Sequence, residues 1–152
     1  MQVQSFLSQH RVSCGVEASS KKRALQALSQ LIAADQPSLN PDDIFLNLIG
    51  REKLGSTGLG QGIAIPHCRI KNCAGTIAAL IQLRTPVDFE AIDDQPVDIL
   101  FALLVPEEAH DAHLQTLASL AERLNHPTYL EALRLAGSDS QLYEAAVSLD
   151  TP

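Results

Sequence analysis

The sequence predicts a single domain over residues 1–152, of the α/β or α+β class, with helices around a small β-sheet. A chain of 152 residues is long enough to bury a hydrophobic core without disulfides or metals. Its composition, 45% hydrophobic and 19% charged residues, excludes wholesale disorder. Apolar residues repeat at helical spacing near both ends, and strand-length apolar runs lie between them. Periodicity alone does not give the strand order.

The N-terminal part of the chain predicts two helices. Residues 1–18 are ambiguous and are interpreted as a turn of helix followed by extended chain. Leucine and isoleucine then repeat at helical spacing from Ser20 to Ala34, and the hydroxyl of either Ser19 or Ser20 is a suitable N-cap. A second helix starts at Asn40, has Pro41 at the favoured first position, and stops at Gly55.

The centre of the chain predicts the sheet. Four glycines within residues 55–62 indicate a loop with unusual dihedral angles or close backbone approach. A short apolar strand follows at residues 62–66, and longer runs extend from Thr76 to Arg84 and from Val97 to Val105. Because these two runs are almost continuously apolar, the sheet is predicted to be covered on both faces. Three closing helices are predicted at about residues 109–124, 127–136 and 139–148.

Charge and cysteine content limit the classes of partner and compartment. The net charge is −7 and the pI is about 5.1, so a basic surface for nucleic acid or anionic membrane is not expected. No apolar run approaches the ~20 residues of a membrane helix, and the polar N-terminus does not resemble a secretory signal. Three cysteines cannot all pair within one chain, which favours reduced thiols and a cytoplasmic protein.

The strongest candidate for chemistry is His67, which follows Pro66 at the end of the short predicted strand. Proline fixes its own φ and favours an extended conformation in the residue before it, so the backbone leading to the imidazole is held in place. Such a histidine can act as a nucleophile, a general base or a ligand, but it can equally be an ordinary surface residue.

The glycine-rich loop is a second candidate. It lacks the Gly-Lys-Ser/Thr sequence of a nucleotide-binding loop and precedes a strand rather than a helix, which disfavours a nucleotide site. Its backbone N–H groups and the hydroxyls of Ser56 and Thr57 could line an anion pocket beside His67. A tight turn before the strand explains the same composition.

Three further clusters have competing interpretations. Arg51 either caps the second helix or binds a phosphoryl group near His67. The acidic stretch at 107–113, with His110 and His113 on one helix face, is a weak metal candidate and a better helix N-terminus. Cys68 keeps a Cys/His hydrolase formally open, although a structural thiol is the better interpretation.

Together these segments resemble a known family. The segment from Arg51 to His67, REKLGSTGLGQGIAIPH, resembles the active-site signature of the fructose–mannitol type of enzyme IIA, a phosphocarrier domain of the bacterial phosphotransferase system. Residues 96–106 resemble its central strand, and His113-Leu114 with Leu117-Ala118 resembles the segment that contains its second histidine. The resemblance covers roughly residues 5–148.

The resemblance implies a mixed β-sheet flanked by helices on both faces. It also implies that Nε2 of His67 accepts a phosphoryl group, supported by His113 and by the cation of Arg51. A hydrogen bond from the other ring nitrogen to a backbone carbonyl would fix the tautomer of a neutral His67. The loop positions expected to border the phosphoryl group are Ser56, Thr57, Gly58 and Gly60. No metal, nucleotide or other cofactor is required. His110 has no counterpart in the family pattern, and Cys68 stands where glycine or alanine is common.

The chain most resembles the nitrogen-regulatory branch of the family, because Gly-Ser-Thr-Gly is present and no fused carrier or membrane domain is seen. That branch implies an HPr-like donor of the NPr type and regulated partners, such as sensor kinases or potassium-transport components. The alternatives are a sugar-specific enzyme IIA that passes phosphate to a IIB component of a permease, and a binding module that has lost transfer. Leu59, Ile63 and Ile65 are candidates for the docking surface, although the isoleucines can equally be core residues.

Overall fold

A computed structural model describes residues 2–109 and 111–148, which form one mixed six-stranded sheet with helices on both faces. In chain order the elements are a 3₁₀ turn at Val3–Ser5, β1 (Leu7–Val16), α1 (Lys21–Asp35), α2 (Pro41–Glu52), β2 (Gly58–Gly60), β3 (Ile63–Ala64), β4 (His67–Ile70), β5 (Ile77–Val87), β6 (Val97–Pro106), α3 (Asp111–Leu124), α4 (Pro127–Leu135) and α5 (Asp139–Ser148). The strand order in the sheet is β1-β5-β6-β3-β2, and β4 also pairs with β6.

The sheet combines parallel and antiparallel pairs. β1 is parallel to β5, and β5 is antiparallel to β6 over the longest ladder in the fold. Both β3 and β4 run parallel to β6, while β2 is antiparallel to β3. The mixed sheet implied by the family resemblance is therefore confirmed.

Two hydrophobic cores lie on opposite faces of the sheet. Along β5, Ala79 and Ile81 pack with α1 and α2, whereas Ala78 and Leu80 pack with α3, α4 and α5. Successive side chains of a strand point to opposite faces, so a strand buried on both sides must be apolar at nearly every position. This confirms the prediction of a sheet covered on both faces.

The helix starts predicted from capping residues are also confirmed. The side chain of Ser20 accepts a hydrogen bond from the backbone N–H of Arg23 at 3.1 Å, at the start of α1. At the start of α2, the side chain of Asn40 accepts from the N–H of Asp42 at 2.8 Å, and Pro41 is the first helical residue. These bonds satisfy N–H groups that have no partner inside the helix.

The structure differs from the sequence prediction around the glycine-rich loop. The strand predicted at 62–66 is limited to Ile63–Ala64, and His67 begins a separate strand, β4, instead of following the end of one. Pro66 has no N–H to donate to a ladder, so the pairing is interrupted there and resumes when His67 pairs with Leu103 of β6. The loop also contains a strand, β2, that was not predicted.

Two glycines of this loop show why the composition is required. A Cβ atom on Gly58 would lie 2.7 Å from the Cβ atom of Ala91, so the close packing of these two segments excludes any side chain. Gly62 has a φ of 81°, which L-residues rarely adopt. Near it, Arg134 of α4 hydrogen-bonds the carbonyl oxygen of Gln61 and forms an ion pair with Asp98 at 3.0 Å. Within the described residues, no helix has both the length and the apolar character needed to cross a membrane.

Candidate functional site

A cleft of about 550 Å³ lies beside β4, with residues of α2 on one side and residues of α3 on the other. It contains the predicted acceptor histidine together with the predicted supporting groups. The polar residues that line it are Asn47, Arg51, His67, Cys68, Arg69 and His113, and the other lining residues are Leu46, Gly50, Leu54, Leu114 and Leu117.

His67 is oriented by the strand segment that precedes it. Its Nδ1 atom lies 2.8 Å from the backbone carbonyl oxygen of Ile65. A carbonyl oxygen can only accept a hydrogen bond, so Nδ1 must be the protonated nitrogen and the lone pair of the neutral ring is on Nε2. The hydrogen bond to a backbone carbonyl that we expected at this histidine is therefore confirmed. The remaining nitrogen, Nε2, has the electron pair that a nucleophile needs.

The surroundings of His67 favour its neutral form. Burial of the half-buried ring is the largest cause of a lowered pKa, and the positive charges of Arg51 and His113 lower the pKa further. The carbonyl of Ile65 and the carboxylate of Glu52 act in the opposite direction. The pKa of His67 therefore lies below its usual value near 6.5, and Nε2 is unprotonated over a wider pH range.

Two predicted supporting residues lie in the same cleft. His113, on α3, has its ring centroid 6.3 Å from that of His67. Arg51, in the last turn of α2, donates through Nη1 to the carbonyl oxygen of Gly55 at 2.8 Å. Gly55 lies three residues beyond the end of α2, so this bond holds the chain after the helix and does not satisfy a carbonyl of the helix itself, while the side chain of Arg51 also lines the cleft.

Arg69 is a cleft residue that the sequence analysis missed. It is the third residue of β4, so it lies on the same face of that strand as His67. Its side chain is exposed and has no hydrogen bond or ion pair with any residue of the described part of the chain. A strand prediction for residues 66–70 would have revealed Arg69, because residues two positions apart on a strand lie on the same face.

Three of the four loop positions expected beside the phosphoryl group form hydrogen bonds outside the cleft. The hydroxyl of Ser56 donates to the carbonyl oxygen of Phe89 at 2.6 Å, and the hydroxyl of Thr57 donates to Glu52. The N–H of Gly58 donates to the Ser56 hydroxyl at 3.0 Å. None of Ser56, Thr57, Gly58 and Gly60 lines the cleft that contains His67.

Cys68 lies next to His67 and borders the cleft, and it also packs against the core formed with α1 and α2. Burial, and to a smaller extent the nearby Cys73, raises the pKa of the Cys68 thiol to about 12. The thiol therefore stays protonated at neutral pH and is a poor nucleophile, which argues against the Cys/His hydrolase alternative. All three cysteines are free.

The weak metal candidate at 107–113 includes His110, which lies outside the described residues. Among residues 2–109 and 111–148, no group of three or more histidine, cysteine, aspartate or glutamate side chains is arranged to hold a metal ion.

The exposed apolar residues around the cleft also differ from those expected. Ile63 and Ile65 are 3% exposed and belong to the core, whereas Leu59 is 44% exposed and lies outside the cleft lining. The exposed leucines that border the cleft are Leu46, Leu54 and Leu114. Leu46 lies on α2, Leu54 lies two residues after its end, and Leu114 lies on α3, so the long separation in sequence made this grouping invisible before the fold was known.

Comparison with known proteins identifies similar sequences and structures. Residues 5–146 match the family described as phosphoenolpyruvate-dependent sugar phosphotransferase system, EIIA 2. The nitrogen regulatory protein of Pseudomonas aeruginosa is 43% identical over 149 residues, which cover 98% of this chain and 97% of the relative. The nitrogen regulatory protein of Escherichia coli is 46% identical over 145 residues, which cover 95% and 88%. The crystal structure of nitrogen regulatory protein IIA-Ntr from Neisseria meningitidis superimposes with a TM-score of 0.87 at 38% identity, covering 95% of this chain and 98% of that one.

Proposed function

Because the chain belongs to the EIIA 2 family of the phosphoenolpyruvate-dependent sugar phosphotransferase system, we propose that it is a histidine phosphocarrier whose His67 accepts a phosphoryl group. The donor is the phosphohistidine of an HPr-like carrier of the NPr type. The main support is the 2.8 Å contact between Nδ1 of His67 and the carbonyl oxygen of Ile65, which leaves the lone pair on Nε2. No cofactor is required, because the donor protein brings the phosphoryl group already attached to nitrogen.

The transfer step is a displacement at phosphorus. The lone pair of Nε2 of His67 attacks the phosphorus atom, and the P–N bond of the donor breaks. The donor ring, which carries a proton on its other nitrogen and therefore a positive charge, leaves with that electron pair and becomes a neutral imidazole. His67 keeps its Nδ1 proton and becomes a phosphorylated imidazolium, so one positive charge moves with the phosphoryl group. No proton needs to be transferred.

The charged residues of the cleft suit this step. Phosphoryl transfer requires little covalent chemistry from the protein. Catalysis therefore depends mainly on positioning the reactants and on electrostatic stabilisation of the equatorial oxygens. Arg51 and Arg69 provide guanidinium groups at the cleft, and His113 provides an N–H donor from the facing helix. The supporting roles of Arg51 and His113 and the added role of Arg69 are part of the proposal.

Exposed leucines at the cleft provide a docking surface for the donor. Leu46 and Leu114 are 63% and 57% exposed, and Leu54 is 84% exposed. Transfer complexes are transient, so a modest interface with an apolar centre around His67 is expected. A docked carrier would exclude water from the reacting atoms and bring its phosphohistidine to Nε2.

The proposed output is regulation of partner proteins according to the phosphorylation state of His67. The similarity to two proteins named nitrogen regulatory protein, over most of the chain, supports this output over sugar transport. A phosphoryl group adds nearly two negative charges at neutral pH if phosphohistidine behaves like other phosphoryl groups. A partner whose apolar surface covers neutral His67 would then bury an unpaired dianion, which is costly. Regulatory partners are therefore expected to bind the unphosphorylated form more tightly.

The acceptor assignment is tested by incubation with enzyme I, the HPr-like donor and phosphoenolpyruvate, followed by intact-protein mass spectrometry. We expect one phosphoryl group, labile in acid and stable in alkali. His67→Ala should abolish labelling. His126→Ala, at an exposed histidine before α4, is the matched control and should label fully. Full labelling of His67→Ala would refute the assignment.

The regulatory output is tested by affinity capture of partners with variants at one position. His67→Ala should retain the partners of the unphosphorylated protein, whereas His67→Asp and His67→Glu should retain fewer of them. If all three variants capture the same partners, His67 does not control binding. Transfer of the phosphoryl group to a IIB component of a fructose- or mannitol-type permease would then favour the sugar-specific alternative.

A further inference from the structure

Glu52, the last residue of α2, is a buried carboxylate with three donors. Its side chain is only 3% exposed, and its oxygens accept from Nζ of Lys21 at 2.9 Å and from the backbone N–H of Thr57 at 3.1 Å. The hydroxyl of Thr57 donates to the same carboxylate. A buried charge is tolerated only when it is paired and hydrogen-bonded, and here both requirements are met. The sequence analysis gave Glu52 no role.

A continuous series of hydrogen bonds leads from Glu52 to the acceptor ring. Glu52 holds the N–H and the hydroxyl of Thr57, and the carbonyl oxygen of Thr57 accepts from the N–H of Ile65 at 3.1 Å. The carbonyl oxygen of Ile65 in turn lies 2.8 Å from Nδ1 of His67. On the sheet side, the N–H of Leu103 donates to the carbonyl oxygen of Pro66 at 2.9 Å. The peptide that orients the imidazole is therefore held from both sides.

We propose that Glu52 is a positioning residue for phosphoryl acceptance: through Thr57 it fixes Ile65, whose carbonyl oxygen holds the Nδ1 proton of His67 and directs Nε2 towards the cleft. This rests on the proposed function, in which Nε2 is the acceptor atom. Glu52 does not touch the reacting atoms. Its effect is on the orientation and tautomer of the residue that does.

The orientation of His67 matters because it determines which ring nitrogen carries the proton. If the carbonyl of Ile65 moves away, the imidazole can place its proton on Nε2, and that nitrogen then has no lone pair for attack. A displacement of about 1 Å in a reacting group can reduce a rate about 100-fold. The negative charge of Glu52 also favours the positive charge that the ring gains during transfer, since it raises the pKa of His67.

The same network also has a structural role, which the experiment must separate from positioning. Lys21 lies over the ring of Phe89, with Nζ 4.7 Å from the centroid, as well as pairing with Glu52. Loss of the carboxylate is therefore expected to lower stability. Asp35→Asn is a matched control, because it also replaces an ion-paired carboxylate by its amide. The partner of Asp35 is the buried Arg11, at 2.5 Å. Neither Arg11 nor Asp35 lines the cleft.

The test measures ring tautomer and transfer rate in Glu52→Gln, Thr57→Val and Asp35→Asn. ¹⁵N chemical shifts of the ring nitrogens of His67 are recorded on unphosphorylated protein at a pH where the ring is neutral. Single-turnover transfer from the phosphorylated donor gives the rate. We expect Glu52→Gln and Thr57→Val to gain the Nε2–H tautomer and to accept the phosphoryl group about 10- to 100-fold more slowly. Thr57→Ser should restore both properties, and Asp35→Asn should lower the unfolding temperature alone.

The possible results separate this inference from the proposed function. The positioning role is overturned if Glu52→Gln and Thr57→Val keep the wild-type tautomer and the wild-type transfer rate and show only a lower unfolding temperature. If Glu52→Gln does not fold, Thr57→Val decides, because it leaves the Lys21–Glu52 ion pair in place. If the wild-type protein accepts no phosphoryl group, the proposed function fails. The tautomer measurement needs no donor and still tests whether Glu52 orients His67.

Discussion

His67 and His113 approach each other at the cleft, with ring centroids 6.3 Å apart and ring planes tilted by 44°. The first ring belongs to a strand and the second to a helix, so the pair exists only because the fold brings the start of α3 close to the start of β4. At this separation a phosphoryl group on Nε2 of His67 would lie within reach of the second ring. In the proposed function the two histidines have different roles, His67 as acceptor and His113 as stabiliser.

Arg51→Ala and His113→Ala should each slow transfer without removing the acceptor atom. Loss of one preorganised stabilising group typically reduces a rate about 10²- to 10³-fold. Single-turnover transfer from a phosphorylated donor measures this directly, and labelling at long times should still reach completion. An equal defect in His10→Ala, at an exposed position of β1, would show that the loss is unspecific.

Arg69→Ala should slow acceptance about tenfold, with a weaker dependence on salt than the wild-type protein shows. The side chain is exposed at the cleft and lacks a partner within the described residues, so its positive charge is available to the donor phosphoryl group. Transfer rates measured over a range of ionic strength test this. Arg84→Ala, at an exposed arginine of β5 that pairs with Glu17, should leave the rate and its salt dependence unchanged.

The pH dependence of His67 should be displaced to low pH. An NMR titration, assigned with His67→Gln, should give a midpoint below 6.5, because burial and the positive charges of Arg51 and His113 disfavour the imidazolium. Arg51→Ala should raise that midpoint. A midpoint at or above 6.5 in the wild-type protein would contradict the described environment.

The same lowered pKa has a consequence for stability. The unfolded chain, with an ordinary histidine pKa near 6.5, binds more protons than the folded protein between that value and the lower folded pKa. The contribution of His67 to the free energy of unfolding is therefore present above about pH 6.5 and is lost as the pH falls through this window. His67→Gln should lose less stability over the same range in denaturant titrations.

Leu54→Asp should weaken binding of the donor protein without destabilising the fold. Leu54 is 84% exposed and borders the cleft, so a charge there would disturb an apolar docking surface while leaving the core intact. We expect the donor concentration at half-maximal rate to rise about tenfold. Ile92→Asp, at an equally exposed position outside the cleft lining, is the control and should behave like the wild-type protein.

Gly58→Ala should destabilise the protein by about 1–3 kcal/mol, because the added methyl group overlaps Ala91. Gly75→Ala meets no heavy atom within 4 Å and should change stability by less than about 0.5 kcal/mol. Thermal or denaturant unfolding compares the two. Similar stability of both variants would show that the loop glycine is not required for packing.

Much of this fold is determined by local sequence. Ser20 and Asn40 cap α1 and α2 as predicted, since a side-chain oxygen that satisfies N–H groups of the first turn depends only on neighbouring residues. β5 and β6 contain almost continuously apolar runs, and this composition alone predicts that both of their faces are buried, whichever elements cover them. His67 could be singled out because Pro66 restricts the backbone before it.

The tertiary structure alone decided what surrounds that histidine. β4 is a four-residue strand stabilised by pairing with β6, and this long-range pairing places Arg69 beside His67. The sequence left open which group the hydroxyl of Thr57 binds. The fold buries Glu52 at the end of α2 next to Thr57, so the hydroxyl binds the carboxylate of Glu52. Local sequence specifies which groups a residue offers, whereas the packing of distant segments determines which partner is within hydrogen-bonding distance.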